Sequence, residues 1–156
     1  AYAAAQQAAQ RWQTDAVLLN AAASWPQGAN ELLIASGRAA WRFTFYSPQA
    51  GAAAFIHVEN DQATVQSTSA YTTAVEPVAA TAWTIDSVEA VEIFLDANGR
   101  DFLNQENITV FNMFLQAGNQ TGNNQLEWSL SMLAPGSNRG LEMTIDATSG
   151  QIMPGP

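Results

Sequence analysis

Apolar and polar residues alternate in the same way at two places 87 positions apart. Trp41 to Val65 (WRFTFYSPQAGAAAFIHVENDQATV) lies over Trp128 to Ile152 (WSLSMLAPGSNRGLEMTIDATSGQI) without a gap. Trp41 meets Trp128, Pro48 meets Pro135, Val58 meets Ile145, Glu59 meets Asp146 and Val65 meets Ile152. In each stretch a tryptophan with apolar residues at +2 and +4, then at +15 and +17, shares one face of a period-two pattern. Two copies of one small unit are expected, each carrying strands with the tryptophan turned inward.

Helical spacing precedes each stretch. Residues 1–13 (AYAAAQQAAQRWQ) set Ala5, Ala8, Ala9 and Trp12 along a narrow stripe of small side chains suited to close packing on a sheet. Asp86-Ser-Val-Glu89 is a capping-box pattern, followed by Val88, Val91, Phe94 and Leu95 at 3–4 spacing. Asn98-Gly99 reads as the stop of that helix, because both residues tolerate a left-handed backbone. Residues 15–22 read as a first strand or a helix continuation, and 107–116 (NITVFNMFLQ) as a β-branched and aromatic strand. Asn60-Asp61, Pro135 to Asn138 and Ser149-Gly150 mark turns.

The expected fold class is α+β, with two tandem α-β-β-β units, each a helix packed on an antiparallel sheet. The boundaries are 1–70 for the first unit, 84–153 for the second, and a Ser/Thr/Ala-rich linker at 71–83.

Composition narrows the chemistry. The net charge is -9, and the five positive residues are all arginine. With no lysine, Schiff-base and P-loop chemistry are excluded. Five scattered arginines against fourteen acids do not build a nucleic-acid surface. The absence of cysteine removes thiol catalysis, disulfides and cysteine-ligated metals, and the single histidine, His57, excludes a multi-histidine site. No apolar run reaches bilayer length. The low charge, the abundant Ala, Thr, Asn and Gln and the lack of Lys and Cys suit an extracytoplasmic protein, secreted or attached to the cell envelope.

Candidate catalytic groups have plainer readings. Glu89 with Glu92, and Asp96 with Asp101, are acid pairs without a predicted cleft, and are read as solvated helix positions. Asp96 to Asp101 opens like a calcium loop, but glycine stands fourth and Asn107 twelfth, which does not fit an EF-hand. No G-x-S-x-G elbow accompanies His57. Asn107-Ile-Thr and Asn119-Gln-Thr match the N-glycosylation pattern.

The outward positions of the first unit are less plain. Arg42, Tyr46, Phe55 and His57, with Thr44, compose an aromatic and arginine-bearing sheet face, the candidate interaction surface. Cover by the second unit or by the loop around Trp25 is the expectation for this face.

The segments Asp86-Ser-Val-Glu-Ala, Trp128-Ser-Leu-Ser-Met and Ile145-Asp-Ala-Thr-Ser-Gly-Gln-Ile152 together resemble the PepSY domain. The first copy is a diverged version: its closing segment, Val58-Glu-Asn-Asp-Gln-Ala-Thr-Val65, lacks the glycine. The resemblance implies an extracytoplasmic module without catalytic residues, cofactor or metal, binding a protein or peptide and regulating a protease or envelope component. The alternative is a structural subunit of a surface assembly, with self-association through low-charge surfaces; a hydrolase on a cystatin-like cone is a third reading. No catalytic residue is carried over, and Asp146 to Gly150 is assigned a structural turn.

Overall fold

Among the described residues, eight strands pair antiparallel into one continuous sheet, with register shifts at Leu18/Asn20 and at Phe55/Ile56. A computed structural model describes residues 1–72, 77–106, 109–118 and 125–154. The elements run α1 (Tyr2–Trp12), β1 (Val17–Ser24), α2 (Glu31–Ala35), β2 (Ala40–Ser47), β3 (Ala52–Glu59), β4 (Gln62–Ala70), α3 (Ser87–Phe94), α4 (Arg100–Gln105), β5 (Val110–Ala117), β6 (Leu126–Ala134), β7 (Arg139–Asp146) and β8 (Ile152–Met153). The sheet order is β4-β3-β2-β1-β5-β6-β7-β8. This is a mixed fold of antiparallel sheet and few helices.

Two differences from the expected units stand out. Each half carries four strands rather than three, since Val17–Ser24 is a full strand. The halves also do not form separate sheets: β1 pairs with β5, Ala21 facing Leu115 and Ala23 facing Met113, so one sheet runs through both. Small alanines at the centre of β1 let large neighbours from β2 and β5 meet above them.

The hairpins that begin at the two tryptophans have matching registers. Trp41 faces Val58 and Phe43 faces Ile56. Trp128 faces Ile145 and Leu130 faces Met143. Trp41, Phe43, Ile56 and Val58 join Trp128, Leu130, Met132 and Ile145 in one buried cluster, with Ala5 and Ala9 of α1, Ile34 of α2, Val91 and Phe94 of α3 and Phe102 of α4. The four α-helices among the described residues therefore cover the same face of the sheet.

Local signals explain most of the ends. Asp86 caps α3 through the N–H groups of Val88 and Glu89, and Glu89 accepts from the Asp86 N–H, completing the box. Asn60 and Asp61 turn β3 into β4 with φ of 49° and 58°, so the closing segment of the first copy makes a tight hairpin without glycine. Asp146 accepts from Thr148 N–H at 2.7 Å and Ser149 N–H at 2.9 Å, and Gly150 has φ of 75°, as the turn requires.

The expected stop at Asn98-Gly99 is absent. The chain passes from α3 through a π-helical turn, Leu95–Gly99, into α4, and Gly99 keeps φ of -63°. Glycine is needed there for space instead: a Cβ would lie 2.9 Å from the Phe94 ring. The contact is with Phe94, five residues earlier in the same helical run, where the π turn brings the two positions together.

Candidate functional site

Because the helices share one side, the other side of the sheet is the place where side chains meet solvent in a fixed array. Register builds that array in rows. One row crosses all eight strands as Thr64, His57, Arg42, Ala22, Phe114, Ser129, Thr144 and Met153. The next runs Ser67, Phe55, Thr44, Asn20, Gln116, Glu127, Asp146.

Arg42, Tyr46, Phe55 and His57 fall together on this face, on the adjacent strands β2 and β3. Arg42 stands opposite His57 and Thr44 opposite Phe55. Arg42 is exposed, Phe55 is 38% exposed, and Tyr46 and His57 are half-buried. Tyr46 leans on Tyr71, with ring centroids 6.2 Å apart. His57 Nε2 lies 3.9 Å from Glu59 Oε2, a long contact on its own strand.

Among the described residues, neither the second half nor the loop around Trp25 covers this face. The second half continues the sheet edgewise instead of stacking on it, so its strands extend this face. Trp25 sits on the helix side, donating from Nε1 to the Leu33 carbonyl at 3.2 Å and packing on Phe111 at 4.9 Å.

A trough of about 420 Å³ crosses the middle of the open face, lined by Ala22, Ser24, Asn112, Phe114, Ser131 and Glu142 among others. A second cleft, about 620 Å³, lies at the strand ends between Leu33, Arg38, Trp41 and Asp61.

Three of the four acids considered for catalysis, Glu89, Glu92 and Asp96, are engaged structurally. Glu89 serves the α3 cap. Arg100 joins Glu31 at 2.8 Å and Glu92 at 2.8 Å, and also bonds Asp96, linking α2 to α3 and the π turn. These carboxylates, Glu31 first, hold the Arg100 guanidinium even more firmly protonated than usual. Among the described residues, no three His, Asp or Glu side chains converge as metal ligands. The glycosylation patterns at Asn107 and Asn119 begin outside the described residues.

Sequence reasoning missed the most unusual group of this face. Glu127 is 2% exposed and faces Asp146 across β6 and β7. Its Oε1 has no hydrogen-bond partner among the described residues. The carboxyl occupies the space above Gly118, where a Cβ would collide with it. Burial, and then the Asp146 charge, push the Glu127 pKa up. The signal was present: once Trp128 is laid against Ile145, Glu127 must face Asp146.

No family model and no curated protein matches the chain. A crystal structure described as a "putative lipoprotein" from Clostridium difficile 630 is similar in fold, with a TM-score of 0.55 at 10% identity, covering 98% of this chain and 90% of that one. Among the described residues, no helix is long and apolar enough to cross a membrane.

Proposed function

We propose that this protein is a non-enzymatic, extracytoplasmic, PepSY-like binding module that takes a protein or peptide segment on its open sheet face. The carrying observation is that every helix packs on one side of the sheet, which leaves Arg42, Phe55 and His57 at adjacent register positions on the other. An arginine among aromatic side chains is the composition of an interface centre, and the groups are held on strands, where they need little ordering on binding. The matched hairpins at Trp41 and Trp128 support the tandem reading, and the closing turn at Asp146 to Gly150 supports the PepSY-like one. The resemblance in fold to a protein described as a lipoprotein favours the cell envelope as the location.

The test uses Arg42→Ala combined with Phe55→Ala, two changes on the exposed face that leave the core intact. Chemical crosslinking in an envelope extract with the wild-type chain should yield a defined partner, and the double variant should lose it at least tenfold. Equal capture by both proteins would move the binding site elsewhere. Release or inhibition of an extracellular protease by the wild-type chain alone would identify the regulatory role.

A further inference from the structure

We infer that the trough at the centre of the open face is a glycan site, and that its ligand is a short chain of uncharged sugar rings. The site lies on β1, β5, β6 and β7, apart from the Arg42, Phe55 and His57 surface on β2 and β3, and it does not depend on that reading.

Register builds the site. Ser24 faces Asn112, Asn112 faces Ser131 and Ser131 faces Glu142, so four polar side chains form one row across four strands. Three strand spacings make the row roughly 14 Å long, enough for a short run of linked rings. Among the described residues, none of these four side chains hydrogen-bonds or ion-pairs with the protein. In the next row Phe114 stands between two small residues, Ala22 on β1 and Ser129 on β6. Phe114 is half-buried, borders the trough and touches no other aromatic ring among the described residues. The trough holds about 420 Å³. Small-ligand sites ordinarily span about 300–1,000 Å³.

Chemistry selects the ligand. β1, β5 and β6 are each paired on both sides, so their backbone N–H and C=O groups are engaged in the ladder and only side chains reach an occupant. An extended peptide would bring main-chain groups that find no backbone partners here. Sugar hydroxyls both donate and accept, and so do the hydroxyls of Ser24 and Ser131 and the amide of Asn112. The Glu142 carboxylate can accept from two neighbouring hydroxyls at once, in the stronger, charge-assisted kind of bond. The C–H face of a sugar ring is apolar and matches the face of Phe114. Glu142 carries the one charge in the lining, on a chain of net charge -9, so an anionic ligand is repelled. Arg42 stands outside the lining, beyond Ala22 on β2.

The test is an NMR titration of the isotope-labelled chain with linear tetrasaccharides of glucose, N-acetylglucosamine and mannose. Concentrations up to roughly 10 mM bring a millimolar dissociation constant into view. At least one sugar should shift the Asn112 side-chain amide and the backbone signals of β5 to β7, and the shifts should saturate. The Asn112→Ala, Glu142→Ala double variant loses a hydrogen bond to a charged group, so it should bind about tenfold more weakly, with its thermal midpoint kept. Ala22→Trp, which fills the trough from the solvent side, should abolish binding. Arg42→Ala with Phe55→Ala should leave it unchanged. Tetralysine and tetraglutamate peptides, titrated alongside, should not bind at the trough. The inference is overturned if none of the three sugars shifts these signals, if the trough variants bind as well as wild type, or if only a charged peptide binds. Loss of sugar binding in the Arg42→Ala, Phe55→Ala variant, with the trough variants unaffected, would overturn it too.

Discussion

Trp41 and Trp128 touch edge to face, their ring centroids 6.4 Å apart and their planes at 69°. Each stands at the same position of its own hairpin, yet they lie in adjacent rows of the sheet, because β1 and β5 run antiparallel between them. The registers of the two halves are thus related by a half-turn about a line near the β1–β5 seam.

Trp128 is the more critical of the two. It is 0% exposed, and its Nε1 donates to the Ile85 carbonyl at 2.9 Å, where Trp83 Nε1 also donates. Trp128→Ala should lower stability by about 3–5 kcal/mol through the cavity it leaves. Trp128→Phe keeps most of the volume and loses the bond, so its cost should fall well short of that. Denaturant titration of both variants separates packing from hydrogen bonding; a loss under about 1 kcal/mol for alanine would be incompatible with a core ring.

Gly99 should resist the substitution that usually strengthens a helix. Gly→Ala in a helix interior gains about 1 kcal/mol from backbone entropy alone. Here the added Cβ would meet the Phe94 ring and the Phe94 carbonyl oxygen, each at 2.9 Å. Overpacking of this kind costs about 1–3 kcal/mol, so Gly99→Ala should be neutral to destabilising, and combining it with Phe94→Leu should relieve only the share due to the ring, since the carbonyl oxygen stays in place. Thermal melts of the single and double variants decide between the two effects.

Much of this arrangement could be read from the residues. Period-two alternation placed Trp41, Phe43, Leu130 and Ile145 on one buried face, and the capping box at Asp86 located the start of α3. The positions of Arg42, Tyr46, Phe55 and His57 on the opposite face followed from the same alternation. What could not be read was long-range. Nothing near Ala21 or Leu115 announces that they pair, and that pairing turns two expected sheets into one and leaves the far face open. The burial of Glu127 against Asp146 depends likewise on a neighbour distant in sequence.

Asp15 ties the start of β1 to the β2–β3 turn. It accepts from Ser47 Oγ at 2.7 Å and from Gln49 N–H at 2.9 Å. These bonds, the serine's first, hold its pKa below the usual carboxylate range. The unfolded chain binds this proton more tightly, so the contribution to stability is present above the ordinary carboxylate value and is lost as pH falls through the depressed one. Asp15→Asn should remove this part of the acid sensitivity, which melts from pH 6 down to pH 2 would show as a shallower acid limb.

Glu127 acts with the opposite sign. Its pKa is raised by burial and by Asp146, so the folded state holds the proton more tightly than the unfolded chain. Stability from this group is therefore full below the ordinary carboxylate range and falls away as pH rises toward the elevated folded value. At neutral pH, ionised Glu127 would stand buried against a second carboxylate, with no hydrogen bond to Oε1 among the described residues. Glu127→Gln removes the charge and supplies an amide that can donate to Asp146, so it should raise stability at pH 7 by about 1 kcal/mol. The advantage over wild type should shrink on acidification toward pH 4, where the native side chain carries its own proton. A gap between the two proteins that stays constant with pH would mean that Glu127 is solvated after all, and that the Glu127–Asp146 pair plays no part in the pH response.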